Sequence, residues 1–371
     1  MHKKKFTLIY KTYMPVSAKT YSIFSGVSKY RFRSILYIAL FWTVIDLIVS
    51  LISRMSYMDR PVSAFLLRGC LVFFFSFLMG YMFIFLLKNI VRNGSLWINF
   101  LVKTVILLFA AFAMNFIIHF AENKLIMDMS GYDASSNFFR ETLKIKWLLQ
   151  TTLYWIILFI ITQLYLEIND KYSPGVFVDI LAGKYINPRE ETRIVMFIDL
   201  KDSTPIAEKL GHHQNFLFIR EFIFHVSMAL IEHNGIIYQY VGDEIVVSWL
   251  NSKSNFKNCL AAVIESRKNI QKNSERFRRK FDFVPEFRVG IHVGAVTVGE
   301  IGVIKKDLAM SGDTMNTTAR IRSACNELNQ KFIVSKEFVE ASDLKDFQTE
   351  SLGVVELKGK AAGIELYSLK I

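Results

Sequence analysis

Four stretches of the chain, at residues 34–52, 65–87, 96–120 and 147–166, run almost without charge. Each is about as long as a helix must be to cross the hydrocarbon core of a bilayer, roughly 20 residues. From residue 193 onward the pattern changes, and short runs rich in β-branched residues alternate with longer amphipathic ones. Strands are predicted at 193–199, 236–241, 244–250, 287–292, 295–301 and 352–358, and helices at about 205–233, 254–278 and 314–328. In order this reads strand, helices, hairpin, helix, hairpin, helix, strand and a final hairpin, the pattern of an α+β or α/β sandwich. Between the two halves, Pro174 and Pro188 bracket a short apolar segment, Val176 to Leu181. That segment either transmits a shift of the fourth span or acts as a spacer, and the pattern does not choose between them. The expected domains are an N-terminal arm at 1–33, a four-span membrane domain at 34–166, a linker at 167–192 and a globular domain at 193–371.

Composition sharpens the division. Hydrophobic residues make up 52% of the 371, and Phe alone numbers 33, an excess concentrated before residue 167. The net charge is +12, and residues 1–33 hold eight Lys or Arg with no Asp or Glu. A basic arm beside an apolar helix reads as a cytoplasmic flank touching anionic lipid rather than as a nucleic-acid binder. Lys88 and Arg92, with no acidic neighbour, place the second connection inside, whereas the evenly charged third connection, about 121–146, suits the outside. The expectation is an integral, multi-pass protein of the inner or plasma membrane, with both termini cytoplasmic. No signal-peptide cleavage pattern precedes the first stretch, so it is expected to remain as a helix. Asp46 stands out within the spans. It is either a functional carboxylate or, in the preferred reading, a packing partner of a polar residue such as Asn115. Lys103 and His119 lie toward helix ends and can snorkel, so nothing is read into them. Cys70, Cys259 and Cys325 fit neither a disulfide framework nor a zinc cluster and are expected to be reduced, buried thiols.

Two aspartates carry the candidate chemistry. In Ile194-Val-Met-Phe-Ile-Asp-Leu-Lys-Asp-Ser-Thr204 an apolar run ends in Asp199, and a polar turn then opens a helix. In Ile236-Ile-Tyr-Gln-Tyr-Val-Gly-Asp-Glu-Ile-Val-Val247 two β-patterned runs join through Gly242 and Asp243, a hairpin signal. Carboxylates on two rigid strand ends can share a pair of divalent cations, the arrangement used to displace pyrophosphate from a nucleotide. His292, on a buried strand, reads as a satisfied core histidine, and His212 and His213, after Gly211, read as surface residues.

Residues 193–371 resemble the catalytic domain of class III adenylate/guanylate cyclases, on five motifs in order. They are Phe197-Ile-Asp-Leu-Lys-Asp-Ser-Thr204; Tyr240-Val-Gly-Asp-Glu-Ile-Val246; a central hairpin, Arg288-Val-Gly-Ile-His-Val-Gly-Ala-Val-Thr-Val-Gly299; Ser311-Gly-Asp-Thr-Met-Asn-Thr-Thr-Ala-Arg320; and Glu356-Leu-Lys-Gly-Lys360. The resemblance implies that Asp199 and Asp243, with the carbonyl of Leu200, ligate two Mg²⁺ or Mn²⁺ per active site. It implies that Asp202, Ser203 and Thr204 lie at the phosphates, although Asp202 by itself reads as a helix N-cap. Asn316 and Arg320, four apart and so on one helix face, would orient the ribose and neutralise the α-phosphoryl charge from the partner subunit. Lys358 and Lys360 match the triphosphate-binding lysine. A homodimer with two composite sites, taking ATP or GTP, follows from the resemblance.

The pattern departs from the family at the base. Where ATP-selective members carry Lys and Asp or Thr, and GTP-selective members Glu and a small residue, this chain has Gln239 and Ala309. Gln239 can face either purine, and ATP is preferred because Gln lacks the carboxylate that rewards guanine's donors. Cyclic GMP is the alternative product. A catalytically silent receptor is disfavoured because both aspartates, Asn316 and Arg320 are kept. A diguanylate cyclase is disfavoured by the Val241-Gly-Asp-Glu-Ile245 hairpin, and a transporter has only Asp46 in its support.

Overall fold

The computed structural model describes residues 26–55, 62–87, 96–142, 144–171, 179–180, 182–304, 307–342, 348–357 and 363–371. Two compact units emerge, Lys29–Tyr172 and Ser173–Ile371.

The first unit is helical: α1 (Gly26–Met55), α2 (Val62–Tyr81, running on as a π-helical segment Met82–Leu87), α3 (Leu96–Leu125), α4 (Gly131–Thr142) and α5 (Ile145–Lys171). Four segments, Arg31–Ile52, Val62–Ile84, Leu101–Leu125 and Leu149–Leu166, are long and apolar enough to cross a membrane. Phe74, Phe109 and Leu149 point outward while Trp42, Leu107, Met114 and Phe159 fill the interior, and apolar residues on both faces suit a helix bathed in lipid. Some polar groups inside the bundle are paired, while Ser76 Oγ and Trp155 Nε1 meet no hydrogen-bond partner among the described residues. Trp42 Nε1 donates to Thr162 Oγ1 at 2.8 Å.

Two expectations for this unit need correction, the partner of Asp46 and the burial of Cys70. Asp46 does not pair with Asn115; it accepts from Arg68 Nε and Nη2 at 2.7 and 2.9 Å, and Asn115 donates to the Ala111 carbonyl. A buried carboxylate is held better by a guanidinium fork than by a neutral amide, which leaves its charge uncompensated. Lys103 Nζ donates to Gln163 Oε1 at 3.3 Å, and His119 lies 5.7 Å from the Phe138 ring of α4. Cys70 is exposed, although Cys259 and Cys325 are buried as expected and all three thiols are free. The helix α4 within the third connection was not foreseen. Ser130 opens it by accepting from the Asp133 N–H at 3.2 Å, the Ser-x-x-acid signature of a helix start.

The second unit runs β1 (Arg189–Leu200), α6 (Ser203–Glu232), β2 (Ile236–Val241), β3 (Glu244–Leu250), α7 (Lys253–Lys272), α8 (Ser274–Phe281), β4 (Phe287–Ile301), β5 (Asp307–Ser311), α9 (Asp313–Glu327), β6 (Phe332–Ser335), α10 (Lys336–Ser342), β7 (Gln348–Val355) and β8 (Ile364–Lys370). The strand order is β2-β3-β1-β4-β6-β8-β7, with β5 on β4. Among the described strands only β4 and β6 pair in parallel, connected through β5 and α9. Strand alternation sorts β1 onto two faces. Ile194, Met196, Ile198 and Leu200 enter the main core with Phe218, Phe222, Leu260 and Phe277 from α6, α7 and α8. Val195 and Phe197 face the other way, with Val246, Met310 and the α9 residue Met315. By the same alternation Asp199 falls on the α9 face.

The expected central hairpin at 287–292 and 295–301 is instead one strand, β4. Gly294 does not turn the chain; a Cβ there would lie 2.5 Å from Thr314 Oγ1, and one at Gly290 would lie 2.4 Å from the Arg322 backbone nitrogen. Both glycines let α9 lie close against the strand. The turn follows Gly302 (φ 100°), and β5 is the second arm. The helix expected at 254–278 breaks at Asn273, whose side chain donates to the Asn269 carbonyl, and the one expected at 205–233 kinks at Gly211 (φ 69°).

Candidate active site

Asp199 is the penultimate residue of β1, opposite Arg288 of β4. On its other side β1 pairs with β3 through Ile198 and Ile245, so the next step of that register sets Asp199 beside Glu244. Asp243 precedes Glu244 in a two-residue turn with Gly242 (φ 63°). The site is therefore a carboxylate-rich end of two neighbouring strands, covered by α9. From that helix Arg322 reaches both acids: Nη1 donates to Asp199 Oδ2 at 3.2 Å, while Nε and Nη2 donate to Glu244 Oε2 at 3.0 and 2.8 Å. Burial pushes the Asp199 carboxyl up to about 6; Arg322 and Arg288 oppose the rise, and Asp243 and Glu244 add to it. Arg288 in turn donates to Asn326 Oδ1.

Asp243 Oδ2 is shut off from solvent and meets no hydrogen-bond partner among the described residues. Such an oxygen calls for a cation or a donor from outside the chain. Among the described residues no three His, Cys, Asp or Glu converge as a ready-made metal cage. Two carboxylates with a strand-end carbonyl, Leu200, nonetheless fit Mg²⁺ or Mn²⁺, hard ions that bind through one or two protein carboxylates and leave positions to phosphate and water.

Asp202 occupies the N-cap position of α6 in the left-handed region (φ 56°), but its side chain makes no cap hydrogen bond. The expected capping role is thus corrected. The backbone turn aims the carboxylate outward, where it is 61% exposed and 3.8 Å from Lys201 Nζ. Ser203 and Thr204 form the first turn of α6 without a side-chain cap. A cleft of about 410 Å³ beside them is lined by Lys201, Pro205, Lys209 and Phe283, among others.

Asn316 is exposed and Arg320 half-buried, while Thr314, Thr318, Ile321 and Cys325 hold α9 down. Neither Asn316 nor Arg320 meets Asp199 or Asp243 in a hydrogen bond or ion pair among the described residues. Gln239 is exposed on β2, beside a bulge, and Ala309 lies on β5. The Met310 N–H donates to Tyr238 Oη at 3.0 Å, so the immediate neighbours of Gln239 and Ala309 touch. Lys358 and Lys360 lie outside the described residues. His292 is buried, with Nδ1 2.8 Å from Ser335 Oγ, and His212 and His213 are exposed.

Reading the sequence missed Arg322, Glu244 and Arg288. A signal for Arg322 was present: it is eight residues from Thr314, on the stripe that α9 lays on the sheet, where an arginine needs an acid to meet.

Residues 186–371 match the family model described as the adenylate and guanylate cyclase catalytic domain. Adenylate cyclase 2 of Rhizobium meliloti is 30% identical over 206 residues, covering 55% of this chain and 57% of that protein. The adenylate cyclase of Anabaena cylindrica is 26% identical over 220 residues, covering 55% and 43%. The chain thus spans about half the length of these relatives. The solved structure of a bacterial light-regulated adenylyl cyclase shares the fold, with a TM-score of 0.52 at 16% identity over 62% of this chain and 67% of that one.

Proposed function

We propose that this chain, which belongs to the adenylate and guanylate cyclase catalytic-domain family, is a membrane-anchored homodimeric nucleotidyl cyclase. It converts ATP to 3′,5′-cyclic AMP and pyrophosphate. The observation that carries this reading is the pair of strand-end aspartates, Asp199 set among acids and Asp243 with an oxygen that no described residue partners. Asp199, Asp243 and the Leu200 carbonyl hold two Mg²⁺ or Mn²⁺, which supply Lewis acidity at the ribose 3′-hydroxyl and charge neutralisation at the triphosphate. Asp202, Ser203 and Thr204 offer the uncapped start of α6 to phosphate oxygens. Lys358 and Lys360 bind the triphosphate as point charges.

Nucleophile and target belong to one molecule, so the remaining residues act by holding it in an attacking geometry. Asn316 orients the ribose, and Arg320 neutralises charge on the α-phosphoryl group. That neither makes a hydrogen bond or ion pair with Asp199 or Asp243 among the described residues supports their acting on a partner copy's nucleotide. Gln239 and Ala309 select the base, and the preference is ATP. GTP is the second reading, favoured by Ala309, which offers adenine no polar group. The four apolar helices anchor the enzyme, and the basic arm with Lys88 and Arg92 keeps both termini on the cytoplasmic side, against anionic lipid.

The test is turnover by the purified full-length chain with Mn²⁺, supplying ATP and GTP separately, alongside Asp199→Ala and Gln239→Lys. Cyclic AMP from ATP, abolished in Asp199→Ala, is the expected result. Cyclic GMP alone would reverse the choice of base. No cyclic product from a folded dimer would end the enzymatic reading.

A further inference from the structure

Arg322 has no part in the proposed reaction, yet it donates a hydrogen bond to the Asp199 carboxylate. Its bonds are unequal: two N–H groups converge on Glu244 at 2.8 and 3.0 Å, and one reaches Asp199 at 3.2 Å. All three side chains are largely shielded, with Arg322 22%, Asp199 19% and Glu244 16% exposed. The backbone that carries Arg322 is packed directly on β4 at Gly290, where a Cβ would lie 2.4 Å from the Arg322 nitrogen. What can move is the free end of the guanidinium, pivoting on its anchor at Glu244.

We infer that Arg322 is a positioning residue that competes with the divalent cation for Asp199 and so sets the affinity of the site for metal. A guanidinium and a divalent cation drawn to one carboxylate repel each other, and the shielding of the site strengthens that repulsion. The single bond to Asp199 is the one surrendered, and the fork on Glu244 keeps the displaced charge in place. The consequence is a site that disfavours a bare cation and favours one arriving with the negative charge of a triphosphate. This inference rests on the reading of Asp199 as a cation ligand.

The test is a Mn²⁺ titration of the full-length chain without nucleotide, following free Mn²⁺ by electron paramagnetic resonance. Arg322→Gln removes the competitor and is expected to bind Mn²⁺ on the order of tenfold more tightly than the parent. Arg322→Lys keeps a charge but loses the fork, and is expected to stay within about threefold. A residue that merely stapled α9 to the sheet would, once removed, loosen the site and weaken binding. Unchanged or weaker binding by a folded Arg322→Gln protein therefore overturns the inference, and Arg322→Met carries the same expectation should the glutamine variant fail to fold. Asp199→Ala separates the two levels: it should lose tight Mn²⁺ binding in both the parent and the Arg322→Gln background. Full retention there would remove Asp199 as a ligand whatever Arg322 does.

Discussion

A histidine packed among phenylalanine rings is held neutral, and His225 is in that position. It is 7% exposed, its ring lies 5.3 Å from Phe224 and 5.7 Å from Phe277, and its Nε2 has no partner among the described residues. Burial lowers its pKa from the ordinary histidine value, with Arg276 adding to the fall and Glu221 opposing it. The sign of the linkage follows. Below about pH 6.5 the unfolded chain takes up a proton that the folded one resists, so the stability contribution is complete above that pH and is lost as pH falls through it. His225→Phe keeps the aromatic packing and removes the proton site. Its melting temperature is expected to fall less than the parent's between pH 7.5 and 5.5, and some acid slope should persist from His233, whose pKa burial also lowers. Parallel melting curves across that range would show that His225 is not the titrating group. Asp199 illustrates the opposite case, a carboxyl raised by burial at the site where charge is wanted, and an environment of that kind belongs to a working site more often than to a structural one.

Among the elements, α9 and β4 do most to shape the site, and their contact depends on the absence of a side chain. Gly290→Ala would set a methyl 2.4 Å from the Arg322 backbone nitrogen and 2.8 Å from its Cα, and neither atom can rotate away. The helix must lift, at an expected cost of about 1–3 kcal/mol, measurable as a lower denaturation midpoint. Nucleotide turnover should fall with it, because Arg320 and Arg322 ride on the same helix; a variant with parental stability and turnover would contradict this account of the contact. This element also marks where the sequence was legible and where it was not. The apolar run of β1 announced a buried strand ending in Asp199, and Asn316 with Arg320 announced one face of a helix. The other face, with Thr314, Ile321 and Arg322 laid on the sheet, showed only in the helical spacing of those positions, and the acids that Arg322 meets are set by tertiary contact. For the same reason Gly294 read as a turn when its purpose is close approach to Thr314. The carboxylate cluster was half visible: Asp199 and Asp243 stood at strand ends, but the bridge from Arg322 to Glu244 joins positions 78 residues apart.

For the molecule as a whole, the proposed division of labour between copies makes the sharpest claim. Asp199 and Arg320 lie in the same chain but do not meet in it, and the reading assigns them to different active sites of a symmetric pair. A two-fold dimer then contains two equivalent sites, each built from the aspartates of one copy and α9 of the other. Asp199→Ala and Arg320→Ala should each abolish turnover when expressed alone, since every site then lacks one or the other. Co-expressed in equal amounts the two variants pair at random, and about half the dimers are mixed. In a mixed dimer one site carries both lesions and the other carries neither, so turnover should return to about one quarter of the parental value. The apolar helices bear on the experiment, because chains anchored in one bilayer meet at high effective concentration. Exchange between preformed dimers should therefore be slow, and mixing the separately purified variants should restore less activity than co-expression does. If the co-expressed pair stays inactive while both variants remain folded and dimeric, Asp199 and Arg320 serve the same site from the same chain, and the composite arrangement is wrong.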